Sequence, residues 1–153
     1  MAEPNCSIRP AVCGDEAALF ELIRALSAYE HLESSVTGSP AELREHLFGA
    51  RPAAEAVLAE RAGRALGFAL FFTNFSTFLT RPGLYLEDLF VLESERRSGI
   101  GTALFSEVLR IARERQSGRL EWAVLDWNAP AIAFYERMGA RLLVDWRLCR
   151  VVL

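Results

Sequence analysis

The sequence predicts an α/β (α+β) fold, a mixed central sheet with helices on both faces. Three observations predict it. Two strand-like runs, Ala54 to Glu60 and Ala65 to Thr73, are joined by Ala62-Gly63-Arg64, a connection short enough for a hairpin of antiparallel neighbours. The apolar run Gly83 to Leu92 leads into RRSGIG, Arg96 to Gly101, and then a helical pattern opening at Thr102. A further strand-helix-strand succession follows, so a hairpin meander feeds a β-helix-β unit.

The elements follow in order. Asn5 to Pro10 is a short strand candidate. Asp15 can cap a helix whose Ala18, Leu19, Leu22, Ile23 and Leu26 share one face. Glu30 to Ser39 is polar and reads as a loop. Ser39-Pro40 supplies a cap and a first-turn proline for a second helix, with Leu43 and Leu47 four apart, and Gly49 to Pro52 ends it. Asn74 to Pro82 reads as a polar-aromatic loop. The helix after the glycine turn carries Leu104, Val108 and Ile111 on one side. Arg110, Arg113 and Arg115 lie toward its C-terminal end, where the helix dipole favours cations. Arg119 to Asp126 is a strand, Asn128-Ala129-Pro130 opens a helix with Ile132, Phe134, Tyr135 and Met138, and Gly139 closes it. Arg141 to Leu153 supplies one or two last strands.

Composition bounds the function. A chain of 153 residues, 52% hydrophobic and 24% charged, forms one folded domain, 1–153. The longest uncharged stretch, Ala65 to Thr80, is interrupted by Gly67, Asn74 and Ser76, too short and polar to span a bilayer, so no membrane partner is expected. Glu3 precedes any apolar run, which argues against a secretion signal. A net charge of −3 disfavours nucleic acid. Cys6, Cys13 and Cys149 lack metal-ligand spacing and His31 and His46 are far apart, so no metal is expected and a reduced, cytoplasmic setting fits.

The chemistry concentrates around the glycine turn. Glycines between a strand and a helix let the backbone curl until several N–H groups converge at the positive end of the helix dipole. Such a turn is an anion cradle suited to pyrophosphate, or simply a tight turn. It lacks the lysine and serine or threonine of a triphosphate loop and has one glycine fewer than a dinucleotide fingerprint. Glu87 and Asp88 interrupt the apolar strand; adjacent strand residues point to opposite faces, so at least one acid faces a helix-covered side. That carboxylate is a raised-pKa base or a binder of cations, unless the pair merely reaches solvent or an arginine. Tyr135 is a core tyrosine or a proton donor. Asn128 is an N-cap or a ligand contact, Trp127 a core or rim side chain, and the cysteines are packing residues.

The ordered segments VLESERRSGIGTALF, EWAVLDWN and AIAFYERMGA resemble the GCN5-related N-acetyltransferase superfamily, with Arg96, Gly99 and Gly101 supplying its arginine-x-x-glycine-x-glycine pattern. YLEDLFV (Tyr85 to Val91), AVLDWN (Ala123 to Asn128), AFYERMGA (Ala133 to Ala140) and AYEHLE (Ala28 to Glu33) are similar to its diamine acetyltransferase branch, which acetylates polyamines and thialysine. The resemblance spans residues 8–148. It implies the acyl-CoA N-acyltransferase fold, with a splayed pair of parallel strands, and acetyl-CoA as cosubstrate. The pyrophosphate would sit on the turn (Arg96, Arg97, Ser98, Gly99, Ile100, Gly101, Thr102), the pantetheine arm along Leu89, Phe90 and Val91, and Asn128, Ala129, Pro130 and Ala131 on the coenzyme's other side.

The resemblance further implies that Tyr135 protonates the departing thiolate and Glu87 receives the proton of the attacking amine. Tyr29, Glu30, Glu87, Asp88, Glu121, Trp122 and Ala123 would bind that amine. The expected partner is a small-molecule primary amine, transferred to directly in a ternary complex, in a homodimer whose interface covers the apolar run Leu148 to Leu153. Alternatives are a protein amine, an aminated antibiotic or a CoA-binding module without turnover. Arg97 and Ser98 depart from the branch's turn, and Asn74 to Pro82 carries no acid. The missing anionic contact favours a small diamine or lysine analogue over a long polycation.

Overall fold

The computed structural model describes residues 5–153; residues 1–4, Glu3 among them, lie outside the described residues. The chain divides into two compact units, one ending at Trp122 and one beginning at Ala123. The first holds a five-stranded sheet: β1 (Ser7–Pro10), β2 (Glu55–Arg61), β3 (Arg64–Ser76), β4 (Arg81–Val91) and β5 (Leu120–Glu121), in spatial order β1-β2-β3-β4-β5. All neighbours are antiparallel except β4 and β5. Its helices are α1 (Glu16–Tyr29), α2 (Pro40–Phe48) and α3 (Ile100–Glu114). Short 3₁₀ turns lie at Glu33–Ser35 and Glu93–Glu95, and α4 (Ala129–Arg137) belongs to the second unit.

Strand alternation sorts the core into two layers. Leu19, Leu22 and Leu47 of α1 and α2 pack with Ala56, Leu58, Phe68, Leu70 and Phe90 on one face. Val57, Ala69, Phe71, Leu84 and Leu86 are buried with Ile100, Leu104, Phe105 and Val108 of α3. Arg115, the residue after α3, pairs with Glu55 and lies 6.0 Å from the Phe71 ring, which puts α3 over that second face. Fully burying a leucine or phenylalanine contributes about 1.5–3 kcal/mol, so these layers hold the sheet and fix the direction of β4.

Helix ends follow the sequence in part. Ser39 caps α2 by accepting from the Glu42 N–H, and Asn128 caps α4 by accepting from Ala131 at 3.3 Å. Asp15 stands at the N-cap of α1 but makes no side-chain cap bond; its carboxylate is drawn instead to Arg9 (2.7 and 2.9 Å) and the Val12 N–H (2.8 Å). Helices α1, α3 and α4 all end in the same two-bond closure around a left-handed residue, His31, Gln116 and Gly139 respectively. Only the last is a glycine, so only that closure is visible in the sequence.

Three expectations are corrected. Asn74 to Pro82 is not a loop: β3 and β4 pair outward to Ser76 and Arg81, leaving only residues 77–80 in the turn. Ser76 Oγ accepts from the Leu79 N–H and the Thr77 carbonyl accepts from Thr80, which closes the turn tightly enough for pairing to continue. The strand expected over 119–126 contracts to Leu120–Glu121, which pairs only with Leu84 and Tyr85. Arg141 to Leu153 forms no strand among the described residues, and Val144, Trp146, Leu148, Val151, Val152 and Leu153 are exposed. An apolar run becomes a strand only where a neighbour completes its ladder, and this run has no such neighbour here.

Candidate active site

The glycine turn is built as its sequence requires. Leu92 to Arg96 leave β4 through the 3₁₀ turn at Glu93–Glu95, and Arg97 and Gly99 then take left-handed conformations (φ 63° and 84°). Gly99 is the N-cap of α3, which is two residues longer at this end than expected: the helix begins at Ile100 rather than Thr102. The first intrahelical bond runs from the Ala103 N–H to the Gly99 carbonyl at 3.0 Å, so the N–H groups of Ile100, Gly101 and Thr102 precede the ladder. With Arg97 and Ser98 exposed and Ile100 buried as the anchor, this geometry fits a pyrophosphate held by backbone donors. Ser98 Oγ donates to the Glu95 carbonyl, so its side chain braces the turn.

Ten residues upstream, β4 is bulged. Leu70 pairs with Asp88 but Phe71 pairs with Leu86, which leaves Glu87 as the extra residue. The bulge changes the expected disposition of the two acids. Leu84 and Leu86 face α3, whereas Asp88, like Phe90, turns to the α1 side, and Glu87 is exposed on the bulge. Burial, then the negative charges of Glu87 and Glu30, push Asp88 up to about 7. Burial also raises Glu30, the C-cap residue of α1. Two bonds fix that helix end, Leu32 N–H to the Ser27 carbonyl (2.8 Å) and His31 N–H to the Ala28 carbonyl (3.2 Å).

Two aromatic residues outside the predicted site set share this face, Phe72 from the aromatic segment Phe72 to Phe78 that the sequence associates with a closed pocket, and Tyr85. Phe72 and Tyr85 are cross-strand partners with ring centroids 5.2 Å apart. Tyr85 is also the parallel partner of Glu121, and its phenol is raised by burial, then by Glu87 and Glu121. In the sequence Tyr85 stands between Leu84 and Leu86, whereas Phe72 follows Phe71 and nothing local marks it out from its segment. The result is an acid-rich, aromatic surface that can attract an ammonium ion, hold it against π faces and remove its proton. It lies where β4 loses β5 as a neighbour: past Tyr85, the described ladder of β4 continues only with β3, along Leu89, Phe90 and Val91.

The first unit therefore assembles Tyr29, Glu30, Glu87, Asp88, Glu121, the strand Leu89–Val91 and the turn. Trp122 is part buried and makes an edge contact with Phe105 at 5.3 Å. In the second unit Ala123 is exposed, Asn128 is buried as a cap, and Ala129 and Pro130 form the exposed first turn of α4 with Ala131 as the capped donor. Tyr135 is part buried beside Phe134, ring centroids 5.2 Å apart, and Trp127 is half exposed. Cys13 and Cys149 are exposed rather than packed; Cys6 is partly covered, and burial raises its thiol. Among the described residues no group of three or more His, Cys, Asp or Glu side chains could hold a metal ion. No described helix is long and apolar enough to cross a membrane.

Residues 20–140 match the model of the acetyltransferase (GNAT) family. The chain belongs to that family. Its members are acetyl-transferring enzymes that use acetyl-CoA as cosubstrate, and this chain is a GNAT N-acetyltransferase acting on amines. It is 34% identical to the thialysine N-epsilon-acetyltransferase of Bos taurus over 146 residues, covering 90% of this chain and 85% of that one. It is 49% identical to the L-ornithine N5-acetyltransferase of Arabidopsis thaliana over 85 residues, 56% of this chain but only 37% of the relative's length. An integron cassette protein from the mobile metagenome of V. cholerae superposes with a TM-score of 0.80 at 25% identity, over 98% of this chain and 94% of that one.

Proposed function

We propose that this acetyltransferase modifies a terminal amine of a small diamine or diamino acid, of the ornithine, lysine or thialysine kind, by direct transfer in a ternary complex. One observation carries the proposal: the bulge turns Asp88 toward Glu30 on a face shared with Phe72 and Tyr85, beside the strand that leads into the turn. The names of the thialysine and ornithine relatives support it. Acetyl-CoA, when bound, supplies the activated acetyl group. The backbone of Arg97 to Thr102 holds the pyrophosphate, and the unpaired edge along Leu89 to Val91 orients the pantetheine arm. The backbone N–H near Leu89 polarises the carbonyl to be attacked.

The amine must lose a proton to attack, and an alkyl ammonium has a pKa of about 10. Glu87 and Asp88 act as a pair. Asp88, titrating near neutrality, accepts the proton at its carboxylate, while Glu87 supplies the charge that raises Asp88 and meets the incoming ammonium. Tyr29, Glu30, Glu121 and Trp122 complete the amine's surroundings within the first unit, and the family resemblance alone assigns Ala123 to the amine and Tyr135 Oη to the proton that the departing sulfur needs. The same proposal treats residues 1–153 as one cytoplasmic domain that works as a homodimer, with the run Leu148 to Leu153 covered by the partner.

Release of free CoA, measured with putrescine, spermidine, spermine, lysine, ornithine, thialysine, a lysine peptide and an aminoglycoside, tests the acceptor. Ornithine or thialysine should exceed spermidine in kcat/KM by about tenfold or more, the worth of one lost charge-assisted contact. A peptide or aminoglycoside as the clear best substrate would refute the small-amine assignment.

A further inference from the structure

The first residue of the turn does more than precede it. Arg96 Nε donates to the Val91 carbonyl at 3.1 Å, which closes the segment between β4 and the turn. Its guanidinium then lies 4.2 Å from the centroid of the Tyr29 ring and 5.6 Å from that of Phe90. Tyr29 is the last residue of α1, and Glu30 follows it at the C-cap, held by the helix-end bonds around His31. Arg97, on the other side of Arg96, is already in the left-handed conformation of the cradle. One planar side chain thus spans from the proposed diphosphate site to the helix end that presents a carboxylate toward Asp88.

We propose that Arg96 is a positioning residue that makes the coenzyme and the amine bind cooperatively. The proposal rests on the cradle and the amine face assigned above. A diphosphate on the turn fixes the backbone at Arg96; the guanidinium, tied to Val91 and stacked on two rings, fixes Tyr29, and Glu30 follows as its chain neighbour. Coupling between two sites is reciprocal, so an amine held at Glu30 tightens the cradle by the same factor. Arginine suits this role because its plane stacks and donates at once, whereas the ammonium of lysine is a compact, strongly hydrated point charge.

The test is the affinity for free CoA with and without saturating amine, using ornithine or thialysine, whichever the transfer assay turns over, so that no reaction occurs. The wild-type protein should bind CoA about five- to tenfold more tightly with the amine present, at the lower end of typical coupling. Arg96→Lys and Tyr29→Leu should each reduce that ratio to below about twofold, the double variant should reduce it no further, and Tyr29→Phe should keep it. If Arg96→Lys does not fold, the contrast between Tyr29→Leu and Tyr29→Phe decides alone. A wild-type ratio of one, or a full ratio in folded Arg96→Lys or Tyr29→Leu, overturns the proposal while leaving the cradle intact. Failure of the wild-type protein to bind CoA at all removes the cradle, and the coupling with it.

Discussion

The middle of β4 and the turn that follows its end solve two different problems on neighbouring stretches of chain. The turn at Arg96 to Gly101 works through backbone: two left-handed residues and a helix start aim N–H groups at one point, while the Arg97 side chain is exposed and Ser98 Oγ turns back to the Glu95 carbonyl. The bulge at Glu87 works through side chains, because it decides which carboxylate is buried and which charges surround it. A backbone device tolerates changes of side chain and fails when a dihedral angle is forbidden. A side-chain device tolerates small backbone adjustments and fails when one charge is removed.

The largest effect that follows is at Asp88. Asp88→Asn should lower kcat by about 10²–10⁴, the usual range for a lost acid–base group, while CoA affinity measured by calorimetry stays within about threefold; full activity would break the contrast. Next is Gly99→Val. A φ of 84° excludes a β-branched residue, so CoA affinity should fall about 10- to 100-fold with kcat at saturation far less affected. Arg97→Gly should sharpen the comparison from the other side. It removes an exposed side chain from a left-handed position, so CoA affinity should change by less than about threefold while stability rises by up to about 1 kcal/mol in denaturant unfolding.

A further effect reads the same difference through stability. Asp88 holds a proton up to about 7 when folded, against an ordinary value of 3.8. Between those values the folded chain binds more protons than the unfolded chain, so Asp88 makes stability fall as pH rises toward 7, and the loss is complete above it. Asp88→Asn removes that slope and should raise Tm at pH 8 by at least the 2–4 °C that about 1 kcal/mol gives a chain of this length. Thermal unfolding at pH 5 and pH 8 checks it; an unchanged slope would mean that Asp88 is already ionised in the fold.

Legibility in the sequence follows the same division. The turn, the capping residues Ser39 and Asn128 and the closing Gly139 were readable because each is a local choice of residue type for a local dihedral angle or donor. The bulge was not, since nothing in LYLEDLFVL tells which residue is left unpaired until β3 is laid beside it. The closures at His31 and Gln116 were hidden because neither is glycine, although each takes a positive φ. The pairing of Phe72 with Tyr85 became visible only across the strands. At the C-terminus the run VVL has strand composition and no ladder, which shows that apolar content alone does not make a strand.

The pH dependence of kcat/KM for the best amine, compared between the wild-type protein and Glu87→Gln, tests the central claim most directly. Glu87 is one of the charges that raise Asp88, so its neutralisation should keep an acidic limb but move it from near 7 to lower pH. An acidic limb that disappears in Glu87→Gln, or that stays in place while Asp88→Asn remains active, would contradict the assignment of Asp88 as the group that takes the amine's proton.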